Sequence, residues 1–167
     1  RKKNVILVNS LSKNYGISGW RLGYCIANKQ MINQIIKLNQ HIITCAPTIL
    51  QYYAAEYFDE ILKITKPQIK QVLKTRNKTC LYLDSLGIKY LKGEATWYIF
   101  LSINASRLNS EDFCAILLKK YYVSCVPGRG YGKSCDKFIR IAVGTEPWKR
   151  IASGADNIKK LIDDTSK

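Results

Sequence analysis

Apolar positions along this chain recur with two different periods. Val5-Ile6-Leu7-Val8 and the stretch Leu22 to Ala27 are short runs rich in β-branched and aromatic residues, which predicts two strands separated by a loop. Ile32, Ile35, Ile36, Asn39, Ile42 and Ile43 then return at helical spacing, so an amphipathic helix is expected over about 29–43. A second helix should begin after Pro47, a residue suited to a first turn, and carry Ile49, Leu50, Tyr53, Ala54, Tyr57 and Phe58. Ile69, Val72, Leu73, Arg76, Cys80, Leu83 and Leu86 form a longer stripe that stops at Gly87, a natural residue just past a helix end. Pro67 interrupts the pattern ahead of that stripe.

Beyond residue 88 strands and helices alternate. Lys89 to Leu91, Thr96 to Ile103, Tyr122 to Val126 and Phe138 to Val143 read as strands. Asn109 or Ser110 should cap a helix whose first turn carries Glu111 and Asp112, where carboxylates complement the helix dipole. Thr145 is the expected cap of a last helix with Trp148, Ile151, Ala155, Ile158 and Ile162 on its inner face. This alternation predicts a small α/β domain, a sheet with helices on one face.

Composition changes that picture little. Of 167 residues, 47% are hydrophobic, ample for a globular core. No apolar run reaches the length of a membrane span, and no signal-peptide pattern opens the chain. Six cysteines and one histidine show no Cys-x-x-Cys pair, which argues against a zinc site or a disulfide framework and for reduced thiols in a cytoplasmic protein. His41 reads as a helix-end residue without catalytic duty. A net charge of +15 raises nucleic acid as a partner, but the lysines scatter between apolar positions as solvated helix faces do, so neither nucleic acid nor membrane is expected. The loop Gly128-Arg129-Gly130-Tyr131-Gly132-Lys133-Ser134 ends like a phosphate-binding loop but lacks the spacing of its first glycine, and reads as a turn.

The informative chemistry lies early. Ser10-Leu11-Ser12-Lys13 is followed by Gly19-Trp20-Arg21-Leu22-Gly23-Tyr24. A lysine is the residue for Schiff-base formation with carbonyl compounds. Hydroxyls and a guanidinium nearby suit a phosphate, because the planar arginine fork keeps its charge and reaches two oxygens at once.

The spacing Ser-x-Ser-Lys-x₅-Gly-x-Arg-x-Gly-Tyr resembles the cofactor-lysine region of class I/II aminotransferases, fold-type I enzymes that use pyridoxal 5′-phosphate. Four further segments are similar to that family in the same order. They are Pro47-Thr48-Ile49-Leu50-Gln51 with Ala54-Ala55, Gly93 to Phe100, Val126-Pro127-Gly128 through Tyr131-Gly132, and Phe138-Ile139-Arg140-Ile141-Ala142. Trp97 departs from the phenylalanine usual in the second of these.

The resemblance implies the end of a large cofactor-binding domain at 1–62, then an interdomain helix and a small C-terminal α/β domain at 63–167. It implies Lys13 as the catalytic, cofactor-bearing lysine, Ser10 and Arg21 as phosphate ligands with Ser12 less direct, and Arg140 as the arginine for the substrate α-carboxylate. No metal is implied. The expected reaction moves an amino group between an L-amino acid and a 2-keto acid, in an enzyme that is a homodimer. Groups that the family holds upstream of its lysine are not found ahead of Lys13. The chain is therefore expected to be a C-terminal portion, inactive in isolation. Two alternatives stand beside this reading. One is a C–S lyase or cyclopropane-forming enzyme of the same fold, and the other a non-catalytic basic binding module.

Overall fold

The computed structural model describes residues 4–91, 93–144 and 146–166, which divide into two compact units, one running through Lys70 and the other starting at Gln71. In the first unit β1 (Leu7–Ser10) and β2 (Gly23–Ile26) pair antiparallel, with Leu7 opposite Ile26 and Ser10 opposite Gly23. A one-turn helix α1 (Leu11–Asn14) and a 3₁₀ turn (Ser18–Trp20) fill the connection. β1 thus lies two residues later than the apolar run suggests, because pairing with β2 and not hydrophobicity sets its register. Val8 is 77% exposed and Ile26 60%, so the strand pair contributes little to the small core of Ile17, Leu22, Ala54 and Ile61.

Three helices follow. α2 (Lys29–Ile42) opens at Asn28, whose side chain accepts from the Met31 N–H at 2.9 Å. α3 (Thr48–Glu56) starts directly after Pro47 and ends at Tyr57. α4 (Phe58–Ser85) then runs 28 residues and passes from the first unit into the second.

The break expected at Pro67 does not occur, since α4 continues through it. A proline inside a helix costs about 3 kcal/mol through its missing N–H and its ring. Here Ile61 and Thr65 are buried before it, and Thr79 and Leu83 after it, so packing on both flanks holds the helix.

The second unit is a four-stranded sheet in the order β3-β4-β6-β5, antiparallel throughout. Its strands are β3 (Tyr90–Leu91), β4 (Tyr98–Ser102), β5 (Val126–Pro127) and β6 (Phe138–Ala142). The register places Phe100 opposite Arg140 and Val126 on the other side of Arg140. Residues two apart share a face, so Ile99, Leu101 and Ile139 point one way. There they join Leu83 of α4, Phe113 and Leu117 of α5 (Ser110–Tyr121), and Ile158 and Leu161 of α6 (Trp148–Asp164) in one buried cluster. The helices therefore cover one face, as expected. Each fully buried Leu, Ile or Phe contributes about 1.5–3 kcal/mol to holding that layer.

Asn109 caps α5, its side chain accepting from the Asp112 N–H at 2.8 Å. The strand expected at Tyr122 to Val126 shrinks to Val126–Pro127. Tyr122 instead takes a left-handed conformation (φ 56°) and closes α5, with N–H bonds from Tyr122 to Leu118 and from Val123 to Leu117. Those bonds satisfy carbonyls at the helix end, and they outweigh the β preference of Tyr122 and Val123. The expected cap Thr145 lies outside the described residues, and α6 begins after Pro147.

Candidate functional site

The lysine hairpin is built outward from the β1–β2 register. The ladder continues past Ser10–Gly23, since the Leu11 N–H donates to the Leu22 carbonyl at 3.1 Å. The turn bearing Lys13 and the segment bearing Arg21 are thereby fastened side by side through their backbones. Ser10 ends β1 and caps α1, its Oγ accepting from the Ser12 N–H at 3.1 Å. Lys13 is half-buried on that single turn, while Ser10 and Arg21 are exposed.

Arg21 sits at φ 57°, a left-handed conformation that costs a residue with a Cβ about 1–2 kcal/mol. Its Nη1 donates to the Ser18 carbonyl at 2.8 Å, which steadies the guanidinium against its own turn. Gly23 is required by close approach, because a Cβ there would lie 2.7 Å from the Asn9 carbonyl oxygen.

Asn9 is the residue that sequence reasoning missed. Its Oδ1 accepts from the Ser10 N–H at 2.9 Å and from the Asn14 side-chain amide at 3.3 Å, and its Nδ2 donates to the Tyr24 hydroxyl at 3.0 Å. One side chain thus ties β1, α1 and β2 together. Its only signal in the sequence is the polar interruption of an apolar strand next to Ser10.

Arg140 belongs to the second unit, on the sheet face that the helices leave open. Tyr98, Phe100, Phe138 and Arg140 share that face, all half-buried. The guanidinium carbon lies 4.4 Å from the centre of the Tyr98 ring and 5.6 Å from that of Tyr131. Phe100 stacks on Phe138 at 5.2 Å and meets Tyr131 edge-on at 5.6 Å. The Nε of Arg140 is buried without a hydrogen-bond partner, and among the described residues no carboxylate lies within ion-pair distance of the guanidinium. A buried donor left unmade is costly, and an anion reaching this face could supply the missing partner. Sequence reasoning found Arg140 but not its aromatic surround, although the alternation Tyr98-Ile99-Phe100-Leu101 carried the signal.

Tyr131 is held by the loop that resembles a phosphate-binding motif. Two 3₁₀ turns, Gly128–Tyr131 and Lys133–Cys135, lead into strand β6, with no helix following Ser134 as a phosphate loop requires. Gly128 presses on the backbone, since a Cβ there would come 2.1 Å from the Cys135 carbonyl oxygen and 2.4 Å from that of Phe138. Asp136 anchors the loop to α5 through the Ser110 hydroxyl at 2.9 Å and to Arg129 at 3.2 Å. The Ser110 hydroxyl, then its backbone N–H and Arg129, hold the Asp136 carboxyl below the usual carboxylate range against the opposing effect of burial.

Among the described residues no group of three or more His, Cys, Asp or Glu side chains could hold a metal ion. No helix among them is long and apolar enough to cross a membrane.

The family described as aminotransferase class I and II matches residues 1–152, and the chain belongs to it. The (5-formylfuran-3-yl)methyl phosphate transaminase of Methanocaldococcus jannaschii is 32% identical over 96% of this chain and 43% of its own length. An aspartate aminotransferase of Pyrococcus abyssi is 28% identical, over 96% of this chain and 41% of its own. The crystal structure of an aromatic aminotransferase from Pyrococcus horikoshii superposes with a TM-score of 0.83 at 27% identity, covering 95% of this chain and 43% of that one. The chain thus spans about two fifths of the relatives it matches. Its fold is that of a portion of a fold-type I aminotransferase, in which the sheet of the second unit is antiparallel.

Proposed function

We propose that the complete protein is a pyridoxal 5′-phosphate-dependent aminotransferase that moves an amino group between an L-amino acid and a 2-keto acid. Residues 1–62 belong in this reading to the cofactor-binding domain and 63–167 to the interdomain helix and small domain. The observation that carries the proposal is the hairpin in which the turn of Lys13 is laddered to the segment of Arg21. The donor chemistry fits the cofactor: an amine for its aldehyde, and a guanidinium with the Ser10 hydroxyl for its phosphate. When bound, that cofactor supplies an aldehyde for the amino group and a ring that withdraws electrons from Cα.

Lys13 has two tasks. Its amine would hold the cofactor, and as a free amine it would take the proton from Cα as a general base. Arg21 and Ser10 fix the anionic end, Ser12 contributing through the turn it shares with Lys13. Arg140 receives the α-carboxylate as a two-pronged donor, which orients the bond to be broken at Cα. The exposed apolar side chains of the first unit, among them Ile42 at 68% and Ile49 at 82%, support a homodimer in which such faces are covered. The free cysteines accord with a cytoplasmic location. The portion in hand is expected to be inactive by itself.

The test is Lys13→Ala in the complete protein. Transamination should fall by about 10²–10⁴-fold or more, the range of a lost general base. The absorbance of the lysine-bound cofactor should vanish as well. A variant that kept that absorbance would end the proposal. Release of ammonia and pyruvate, in place of a keto acid and a new amino acid, would move it to a C–S lyase.

A further inference from the structure

We infer that Tyr98 is a positioning residue for Arg140, holding its guanidinium on the open face of the sheet so that the fork meets a carboxylate already oriented. This rests on the reading of Arg140 as the substrate-carboxylate arginine. Tyr98 and Arg140 lie diagonally across β4 and β6, Tyr98 facing Ala142 while Arg140 faces Phe100. Diagonal neighbours on one face are within reach of long and aromatic side chains. The 4.4 Å from guanidinium carbon to ring centre is a cation–π contact, and the ring takes part of the role that a carboxylate would otherwise fill. A carboxylate there would neutralise Arg140 and compete with substrate. A ring attracts the cation without occupying its N–H donors.

Tyr131 forms a second wall at 5.6 Å, and its place is fixed from two sides. Phe100 meets it edge-on, and the close backbone approach of Gly128 sets the loop from which it projects. A guanidinium free to rotate would lose orientation entropy on every binding event. One stacked against a ring has already lost it, so the benefit appears in affinity for the carboxylate.

The experiment measures binding of two isosteric probes, 3-methylbutanoate and its uncharged amide 3-methylbutanamide, to the complete cofactor-loaded protein. Wild type should prefer the carboxylate, and Arg140→Met should abolish the preference. Tyr98→Leu should weaken the carboxylate by about tenfold, the scale of a desolvated cation–π contact, and leave the amide unchanged. Tyr98→Phe keeps the ring and should bind as wild type does. Tyr131→Leu gives a smaller loss in the same direction and serves where Tyr98→Leu does not fold. If Arg140→Met keeps the carboxylate preference, the reading of Arg140 itself is wrong. If Arg140→Met abolishes it while Tyr98→Leu and Tyr131→Leu bind both probes as wild type does, only the positioning role is overturned. Equal loss of acid and amide in Tyr98→Leu would likewise overturn it, marking the ring as ordinary packing.

Discussion

Ser10 and Gly23 stand opposite each other across the β1–β2 pair, and the glycine is there because the Asn9 carbonyl oxygen occupies the space a side chain would need. The residue that caps the lysine turn is thus aligned by backbone contact with the strand that follows Arg21. Substituting Gly23→Ala forces the two strands apart by some tenths of an ångström. The expected cost is about 1–3 kcal/mol in stability, the range for a strained backbone or overpacked site. Denaturant unfolding reads it. In the complete protein the phosphate affinity should drop with it, measured by dialysis against inorganic phosphate, because Ser10 and Arg21 lose their common frame.

The loop of Tyr131 should be acid-sensitive through Asp136. Hydrogen bonds from Ser110 and the Arg129 guanidinium keep this carboxyl more acidic in the folded state than its ordinary value of 3.8. A depressed folded pKa contributes stability that is complete above the unfolded value, and is lost as pH falls through the folded one. The acid limb of the stability curve, below about pH 4, should therefore be shallower in Asp136→Asn than in wild type. Unfolding followed by Trp fluorescence from pH 2 to pH 6 would show it, and an unchanged slope would mean that the Ser110 contacts are not formed in solution.

The cysteines should separate into classes when alkylated. Burial pushes the Cys114 thiol up to about 11, and burial with the neighbouring Cys114 sulfur pushes Cys125 to about 12. The thiolate is the reactive form, so Cys114 is protected by burial and by protonation, and half-buried Cys125 by protonation. Cys45 is exposed. Mass spectrometry after brief iodoacetamide treatment at pH 8 should find Cys45 modified well before Cys114 or Cys125. Equal labelling of the three would contradict the packing of α5 against β5.

Much of this was legible in order along the chain. Periodicity found α2 and α6, and the cap residue Asn109 with Glu111 and Asp112 marked the start of α5, as the structure has it. The lysine motif placed Ser10, Lys13 and Arg21 on one strand–loop–strand segment, which is the hairpin observed. Where the reading failed, residue preference was outweighed by packing in one place and by a helix end in another. Pro67 reads as a breaker, yet buried residues on either side carry α4 through it. Tyr122 and Val123 read as strand, yet their N–H groups close the end of α5.

The sequence by itself determined the lysine turn and the helical faces, because each is written in residues close together along the chain, and the family resemblance, because its motifs keep their order from Ser10 to Ala142. Tertiary structure alone decided that Tyr98 and Tyr131, far apart in sequence, share one guanidinium, and that Asn9 joins three elements. Such contacts depend on strand register and on how a loop is pressed against its neighbours. Alternation along a strand marks its two faces, but which strand lies beside which, and so which side chains meet, is settled only when the sheet assembles.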